Sequence, residues 1–306
     1  MKIGIVSSSR YAWLAAKVHR ALDTGHSVEL INSSTLSNSA SFVNGKDLIL
    51  TYGENYKWMC GTRLSIDRST VVINNVFDAA DLRSFNEVGS SLDDYGYSVF
   101  VTNSSRFAEQ DATGTSIVFH EMPVADRYFS STVPIATYPH NFCFVGYIAG
   151  NGIDDGLLKA ARAFDLSMYA PYAPEWAAPY THVISQDGIE LDKYSIYCAS
   201  KAVISPTYHE VVQLRQIPQA AFMALLLCKP YVELHSTHLY DTFGSDVYLP
   251  MTVLDGVHTL KDISEGAAGE GRRPAKDARE RVIANHRIRC SQYIAFILEL
   301  FERTRG

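Results

Sequence analysis

Short apolar runs alternate with longer mixed connections along the first half of the chain, and this rhythm dictates the fold class. Lys2–Val6 (KIGIV) has the continuous apolar character of a strand buried on both faces. An amphipathic helix follows over Tyr11–Leu22 and stops at Gly25, and Ser27–Ile31 is the second strand. Asp47–Tyr52, Thr70–Asn74, Ser98–Thr102 and Thr115–Phe119 are four more such runs. Strands separated by connections of about twenty residues imply crossovers, and so an α/β, doubly wound parallel sheet.

The second half restarts the pattern. Ser130–His140, with β-branched residues and two prolines, reads as a linker. Asn141–Tyr147 is a strand, Ala149–Gly152 a glycine-rich turn, Gly156–Phe164 a helix and Asp165–Tyr169 a strand. Val183–Gln186 is a short strand and Ile189–Ser195 a short helix. The stretch that organises this half is Ser195–Leu234. A strand over Ala202–Ile204 ends at Ser205-Pro206, and a polar loop then carries Thr207, Tyr208, His209, Glu210, Gln213 and Arg215. Pro218 suits the first turn of a helix, where its missing N–H costs nothing. Gln219–Leu227 is that helix, Cys228-Lys229-Pro230 stops it, and Tyr231–Leu234 resumes as a strand. A loop between a parallel strand's carboxyl end and the next helix's N-terminus is where α/β proteins hold phosphate. Val257–Ile263 is a further helix, the glycine-rich Ser264–Arg273 a mobile loop, and Pro274–Arg303 one long helix or a kinked pair.

Composition narrows the function classes. With 306 residues the chain suffices for two domains, and 47% hydrophobic with 20% charged residues is ordinary for a globular protein. A net charge of −6 argues against a duplex DNA binder. Cys60, Cys143, Cys198, Cys228 and Cys290 are odd in number and form no CxxC pair, so buried thiols in a reducing compartment are expected. No apolar run reaches a membrane-spanning length, and the N-terminus is too polar after Val6 for a signal peptide; a cytoplasmic location is expected. HExxH, GxSxG, Walker A and GxGxxG patterns are missing, and Asp93-Asp94 lacks the Asp-x-Asp spacing of a metal-dependent transferase.

Several weak signatures occur in a meaningful order. Val99–Ser104 (VFVTNS) resembles the strand closing many GT-B glycosyltransferase N-domains, and His120–Pro123 with Asp126–Phe129 is similar to the segment that follows it. Phe142–Gly146, Asp165–Tyr169, Tyr169–Trp176, Ala221–Cys228, Phe243–Leu249 and Arg279–Arg289 resemble successive stretches of the GT-B C-domain. The pattern is closest to the CgeB-like, family-4-like group that includes phage-type glycosyltransferases. The resemblance implies two Rossmann-like domains with parallel sheets facing a cleft. Residues 1–136 would form the acceptor-side domain, 137–280 the nucleotide-sugar domain, and 281–306 a helix returning towards the first.

It also implies sugar transfer from a nucleotide-sugar donor such as a UDP-sugar, with no cofactor and no metal. The acceptor would be a glycan, a small molecule or a modified nucleic-acid base. Gly146, Gly150, Gly152, Lys201, His209, Glu210, Arg215 and Gln219 are then the expected donor or diphosphate contacts, with Arg215 the principal one because a guanidinium grips phosphate bidentately. Tyr169, Tyr172 and Trp176 would wall the base. Asp78 or His120 would be the general base of an inverting enzyme; a retaining one needs none. The sequence departs from the family pattern at three places. The acid at the donor-helix start is missing around Pro218 and Gln219, Cys228 replaces a glycine, and Asp154-Asp155 stands where a cation is usual. These departures keep two alternatives open, a non-catalytic GT-B-like binding or assembly protein and a sugar-nucleotide epimerase.

Overall fold

A computed structural model describes residues 1–32, 42–53, 67, 69–77, 98–109, 117–130, 139–148, 153–184, 193–266 and 272–306. The chain forms two compact units, Met1–Pro123 with Arg287–Gly306, and Val124–His286.

Unit 1 is built on six strands: β1 (Lys2–Ser7), β2 (Ser27–Asn32), β3 (Leu48–Tyr52), β4 (Val71–Val76), β5 (Val99–Thr102) and β6 (Ile117–Phe119). All pairings are parallel, in the order β2-β1-β3-β4-β5-β6. The central strands β3, β4 and β5 are buried throughout, which explains their mainly apolar runs; the polar exceptions Thr51, Asn74, Asn75 and Thr102 are buried as well. Helix α1 (Ala12–Leu22) turns Leu14, Ala15, Val18 and Leu22 into the core, and α2 (Ser105–Glu109) follows β5.

Unit 2 carries five parallel strands in the order β10-β9-β7-β11-β13: β7 (His140–Val145), β9 (Leu166–Ala170), β10 (Thr181–Val183), β11 (Ser200–Ile204) and β13 (Tyr231–Val232). One sheet face is lined by Phe142, Phe144, Leu166, Met168, Ala202, Ile204 and Val232. It packs with Leu157, Leu158 and Ala161 of α3 (Gly156–Ala161) and with Leu260 and Ile263 of α7 (Val253–Ser264). Helix α7 begins four residues before the periodicity predicts, because Thr252 and Asp255 form a capping box that satisfies its first amides.

Two features were not legible in the pattern. The polar loop after β11 contains a two-residue strand, β12 (Thr207–Tyr208), paired antiparallel with β8 (Ile153–Asp154), and then a helical turn, α4 (His209–Gln213). Helix α6 (Thr237–Phe243) follows β13, with Ser236 accepting from the Leu239 amide as its cap. The terminal stretch is two helices, α8 (Arg272–Asn285) in unit 2 and α9 (Cys290–Arg305) in unit 1. The expected strand over Val183–Gln186 starts earlier, at Thr181; of the expected helix Ile189–Ser195, residues 189–192 lie outside the described residues, and 193–198 are helical.

Candidate functional site

In a parallel sheet all carboxyl ends lie on one edge, and the following helices present their N-termini there. In unit 2, β7 is followed outward by β9 and β10 on one side and by β11 and β13 on the other, so the winding reverses between β7 and β11. A crevice opens at such a point because the two flanking connections leave in opposite directions. At this point Gly146-Tyr147-Ile148 follow β7 and Ser205–Tyr208 follow β11. The Tyr208 hydroxyl reaches across to donate to the Tyr147 carbonyl at 2.5 Å. The Tyr147 ring lies 6.2 Å from that of Tyr172, which follows β9 and is 46% exposed. The β8–β12 pair ties Thr207 to Asp154 and Tyr208 to Ile153. An aromatic-lined edge built by three connections results, at the sheet end that faces the N-terminus of α5 (Gln219–Leu226).

The expected donor residues divide between this edge and other places. His209 and Glu210 open α4 directly beside Tyr208, His209 exposed and Glu210 half-buried. Arg215 is exposed and left-handed, at φ +50°. It ends α4 in a Schellman motif, with the Gln216 amide on the Val211 carbonyl and its own amide on that of Val212. Gln219 is the first residue of α5, after the N-cap Pro218. These four belong to one short connection at the carboxyl edge.

Others are engaged elsewhere. Lys201 lies in the amino half of β11 and donates to the Ser264 carbonyl at 2.9 Å, at the C-terminus of α7. Gly146 has a structural need of its own, since a Cβ there would stand 2.9 Å from the Phe144 ring. Tyr169 stacks on His182 with centroids 4.8 Å apart. Trp176 is covered by Lys159 at 5.4 Å and Arg162 at 5.6 Å. Asp154 accepts from the Gly156 amide at 3.0 Å and Asp155 pairs with Lys159 at 2.7 Å, so carboxylates already occupy the N-terminus of α3. Gly150, Gly152 and Asp78 lie outside the described residues, as does Cys60.

His120 follows β6 in unit 1 and is 5% exposed. Its ring contacts those of Tyr293 at 5.2 Å and Phe296 at 4.6 Å. Nδ1 lies 2.6 Å from the Glu121 carbonyl, which can only accept; Nδ1 therefore carries the proton and Nε2 has the free lone pair. Nε2 is buried and makes no hydrogen bond. Burial lowers the pKa below the ordinary histidine value, so the ring is neutral. Beside it, the Tyr293 hydroxyl donates to Asn75 Oδ1 at 2.7 Å and lies 3.1 Å from the Tyr52 hydroxyl.

Burial pushes the Cys143 thiol up to about 12 and raises Cys198 and Cys228 as well, so all three are thiols at neutral pH. Among the described residues no three His, Cys, Asp or Glu side chains gather as a metal would require, and no helix is long and apolar enough to cross a membrane.

Sequence reasoning gave no site role to Tyr147, nor to Ser205 and Tyr208, though it placed the last two in the loop after the strand Ala202–Ile204. Each sits within a few residues of a strand's carboxyl end, the one signal that could have marked them.

No protein-family model matches the sequence, and no curated protein does. Solved structures do. An alpha-glucosyltransferase in complex with UDP and a 13-mer DNA containing a HMU base superposes with a TM-score of 0.68 at 10% identity, over 99% of each chain. HepE from Anabaena, in complex with UDP and glucose, gives 0.63 at 12% identity over 99% of each chain. AviGT4, a glycosyltransferase involved in avilamycin A biosynthesis, gives 0.59 at 12% identity over 100% of this chain and 98% of its own. The fold is the GT-B fold. End-to-end coverage on both sides means that the GT-B likeness includes α9 as well as both sheets.

Proposed function

We propose that this protein is a nucleotide-sugar-dependent, metal-independent glycosyltransferase of the CgeB-like, family-4-like group. Unit 2 would take the donor and unit 1 the acceptor. The observation that carries the reading is the aromatic-lined carboxyl edge at the switch point between β7 and β11, in a chain whose whole length follows the fold of proteins captured with UDP. In the proposed complex Arg215 contacts the diphosphate and offsets the negative charge that grows on it as the glycosidic bond breaks. Glu210 accepts from ribose or sugar hydroxyls, while His209 and the amide of Gln219 supply further donors. Tyr172, with Tyr147, flanks the base. Gly146 gives the chain after β7 its close approach, and Gly150 and Gly152, outside the described residues, are further proposed diphosphate contacts.

His120, neutral and with a free Nε2 lone pair, has the protonation state a general base needs. Its burial means that it acts only if the acceptor hydroxyl reaches the buried Nε2. Asp78 is the other proposed base. The acceptor classes remain a glycan, a small molecule or a modified nucleic-acid base; the alpha-glucosyltransferase neighbour carries DNA, while the net charge of −6 favours an uncharged acceptor here.

The test is thermal denaturation with a panel of nucleoside diphosphates. A binder raises stability by RT ln(1 + [L]/Kd), about 2.7 kcal/mol at a hundredfold excess over Kd. No shift with uridine, guanosine, thymidine or cytidine diphosphate would remove the proposal.

The second reading, a non-catalytic binding protein on the same fold, is favoured by one observation: Asp154 and Asp155 occupy the N-terminus of α3. Labelled nucleotide-sugar separates the readings. Free or transferred sugar marks the enzyme, a recovered epimer the epimerase, and intact donor the binding protein.

A further inference from the structure

The two connections that part at the switch point of unit 2 are joined by a side chain with no role in the reading above. Tyr208 is half-buried, and its hydroxyl donates to the Tyr147 carbonyl at 2.5 Å, across 61 residues of sequence. Its own backbone is fixed separately, because β12 pairs with β8 and sets Tyr208 opposite Ile153. The phenol thus reaches from a paired strand into the turn after β7. There β7 stops at Val145, and the Gly146 amide still bonds the Tyr169 carbonyl at 3.0 Å. Tyr147 is the next residue along. Its half-buried ring stands 6.2 Å from the exposed ring of Tyr172, tilted by 58°, within the range of aromatic contact.

We propose that Tyr208 is a positioning residue for the nucleotide base: its hydroxyl orients the Tyr147 peptide and so sets the Tyr147 ring beside Tyr172, the pair that flanks the base. The inference rests on the donor reading of this edge. A peptide group is planar, so fixing its carbonyl fixes the whole plane that leaves the Tyr147 Cα, and the ring hangs from the same atom. Held by the phenol, the carbonyl has one direction. Without the phenol it can turn towards water, and the ring loses its fixed place. A ring already in place spares the ordering cost that binding would otherwise carry.

The role is distinct from that of the neighbouring donor residues. The phenol has one proton, and it is given to the Tyr147 carbonyl, so Tyr208 acts through Tyr147 and not on the donor itself. His209 and Arg215, further along the same connection, are the residues assigned to the diphosphate. Loss of the Tyr208 hydroxyl should therefore be felt by the base and not by the phosphates.

The experiment measures binding of UDP and of inorganic pyrophosphate by calorimetry on the full chain. It compares the natural protein with Tyr208→Phe, Tyr147→Ala and the double variant. Tyr208→Phe keeps the ring and removes the hydroxyl; UDP should bind about fivefold more weakly, the scale of one hydrogen bond, and pyrophosphate, which has no base, as before. Tyr147→Ala should weaken UDP about tenfold through lost stacking. In that background Tyr208→Phe should cost nothing further, because the phenol acts through the ring. Nuclear Overhauser contacts between labelled Tyr147 and Tyr172 rings read the same positioning without ligand, and they should be lost in Tyr208→Phe. Four results each overturn the proposal: UDP affinity unchanged in Tyr208→Phe, equal losses for UDP and pyrophosphate, additive losses in the double variant, or ring contacts that survive Tyr208→Phe. Should the natural protein bind neither ligand while the ring contacts still depend on Tyr208, the donor reading fails and the positioning of Tyr147 stands.

Discussion

Arg215 and Cys228 share a backbone problem and differ in chemistry. Both hold left-handed backbone, at φ +50° and +54°, immediately after a helix. Both close a Schellman motif; for Cys228 its amide bonds the Leu225 carbonyl and the Lys229 amide that of Ala224. A Cβ in this conformation costs about 1 kcal/mol, which explains why glycine is the residue the resemblance leads one to expect at 228. Cys228→Gly should therefore raise stability by about 0.5–1 kcal/mol, read from a denaturant midpoint at unchanged m-value; a lowered midpoint would show that the thiol's packing outweighs the strain. Arg215→Ala keeps a Cβ and so leaves the strain as it is. The apo melting temperature should change little, because exposed charge contacts are worth at most about 1 kcal/mol. Nucleotide affinity should weaken by about 1.5–3 kcal/mol, the scale of a charge-assisted hydrogen bond. An unchanged affinity in calorimetry would make Arg215 a helix terminator and nothing more.

At the scale of elements, α9 is joined to unit 1 by more than its apolar face. Tyr293, Ile297, Leu300 and Phe301 enter the core with α1 and the sheet, and the Tyr293 hydroxyl meets Asn75 of β4 and Tyr52 of β3. Asn75 Nδ2 continues the network to the Thr51 carbonyl at 3.2 Å. Tyr293→Phe keeps the ring and removes the hydroxyl, leaving Asn75 Oδ1 buried without its donor. A loss of about 1–3 kcal/mol is expected, measured by urea unfolding. A neutral result would mean that water replaces the hydroxyl. Arg279 does related work inside unit 2, donating to the Leu226 carbonyl at the end of α5 and to those of Phe129 and Ser130. One guanidinium fork thereby closes a helix end and holds the segment that opens the unit.

At the scale of the molecule, two buried groups, Glu233 in unit 2 and His120 in unit 1, give each unit its own pH response near neutrality. Glu233, raised from 4.5 to about 8, keeps a proton in folded unit 2 that the unfolded chain has already released. Its stabilisation is complete below pH 4.5 and is lost as pH rises towards 8. His120, lowered from 6.5, is neutral in folded unit 1 while the unfolded chain is protonated, so its contribution is present above 6.5 and is lost as pH falls. The slopes oppose each other just below pH 6.5. Between 6.5 and 8 only Glu233 changes, and stability should fall by up to about 1.4 kcal/mol per pH unit. Glu233→Gln should remove that fall and His120→Asn the decline on the acid side, both followed by thermal unfolding across pH 5–9. A profile unmoved by Glu233→Gln would show that its carboxyl is solvated in the folded state.

The parallel winding of both sheets was legible because a strand buried on two faces is mainly apolar, as Leu48–Tyr52 and Val71–Val76 are. The place of the loop after β11 was legible too, since the connection after a parallel strand is bound to emerge at the carboxyl edge whatever its residues. Which side chains meet there was decided only by tertiary structure. Lys201 and Arg215 are fourteen residues apart on one strand-loop-helix stretch, yet one is drawn to the end of α7 and the other closes α4. Tyr147 and Tyr208 lie far apart in sequence and share a hydrogen bond because β7 and β11 are neighbours. Glu233 reads as a strand-end acid on any surface, and becomes a neutral, buried donor only because β11, Tyr231 and the Tyr248 segment exclude water from it. Local sequence carries periodicity and turn chemistry; it does not carry the dielectric that a side chain will meet, which is set by residues brought from elsewhere in the chain.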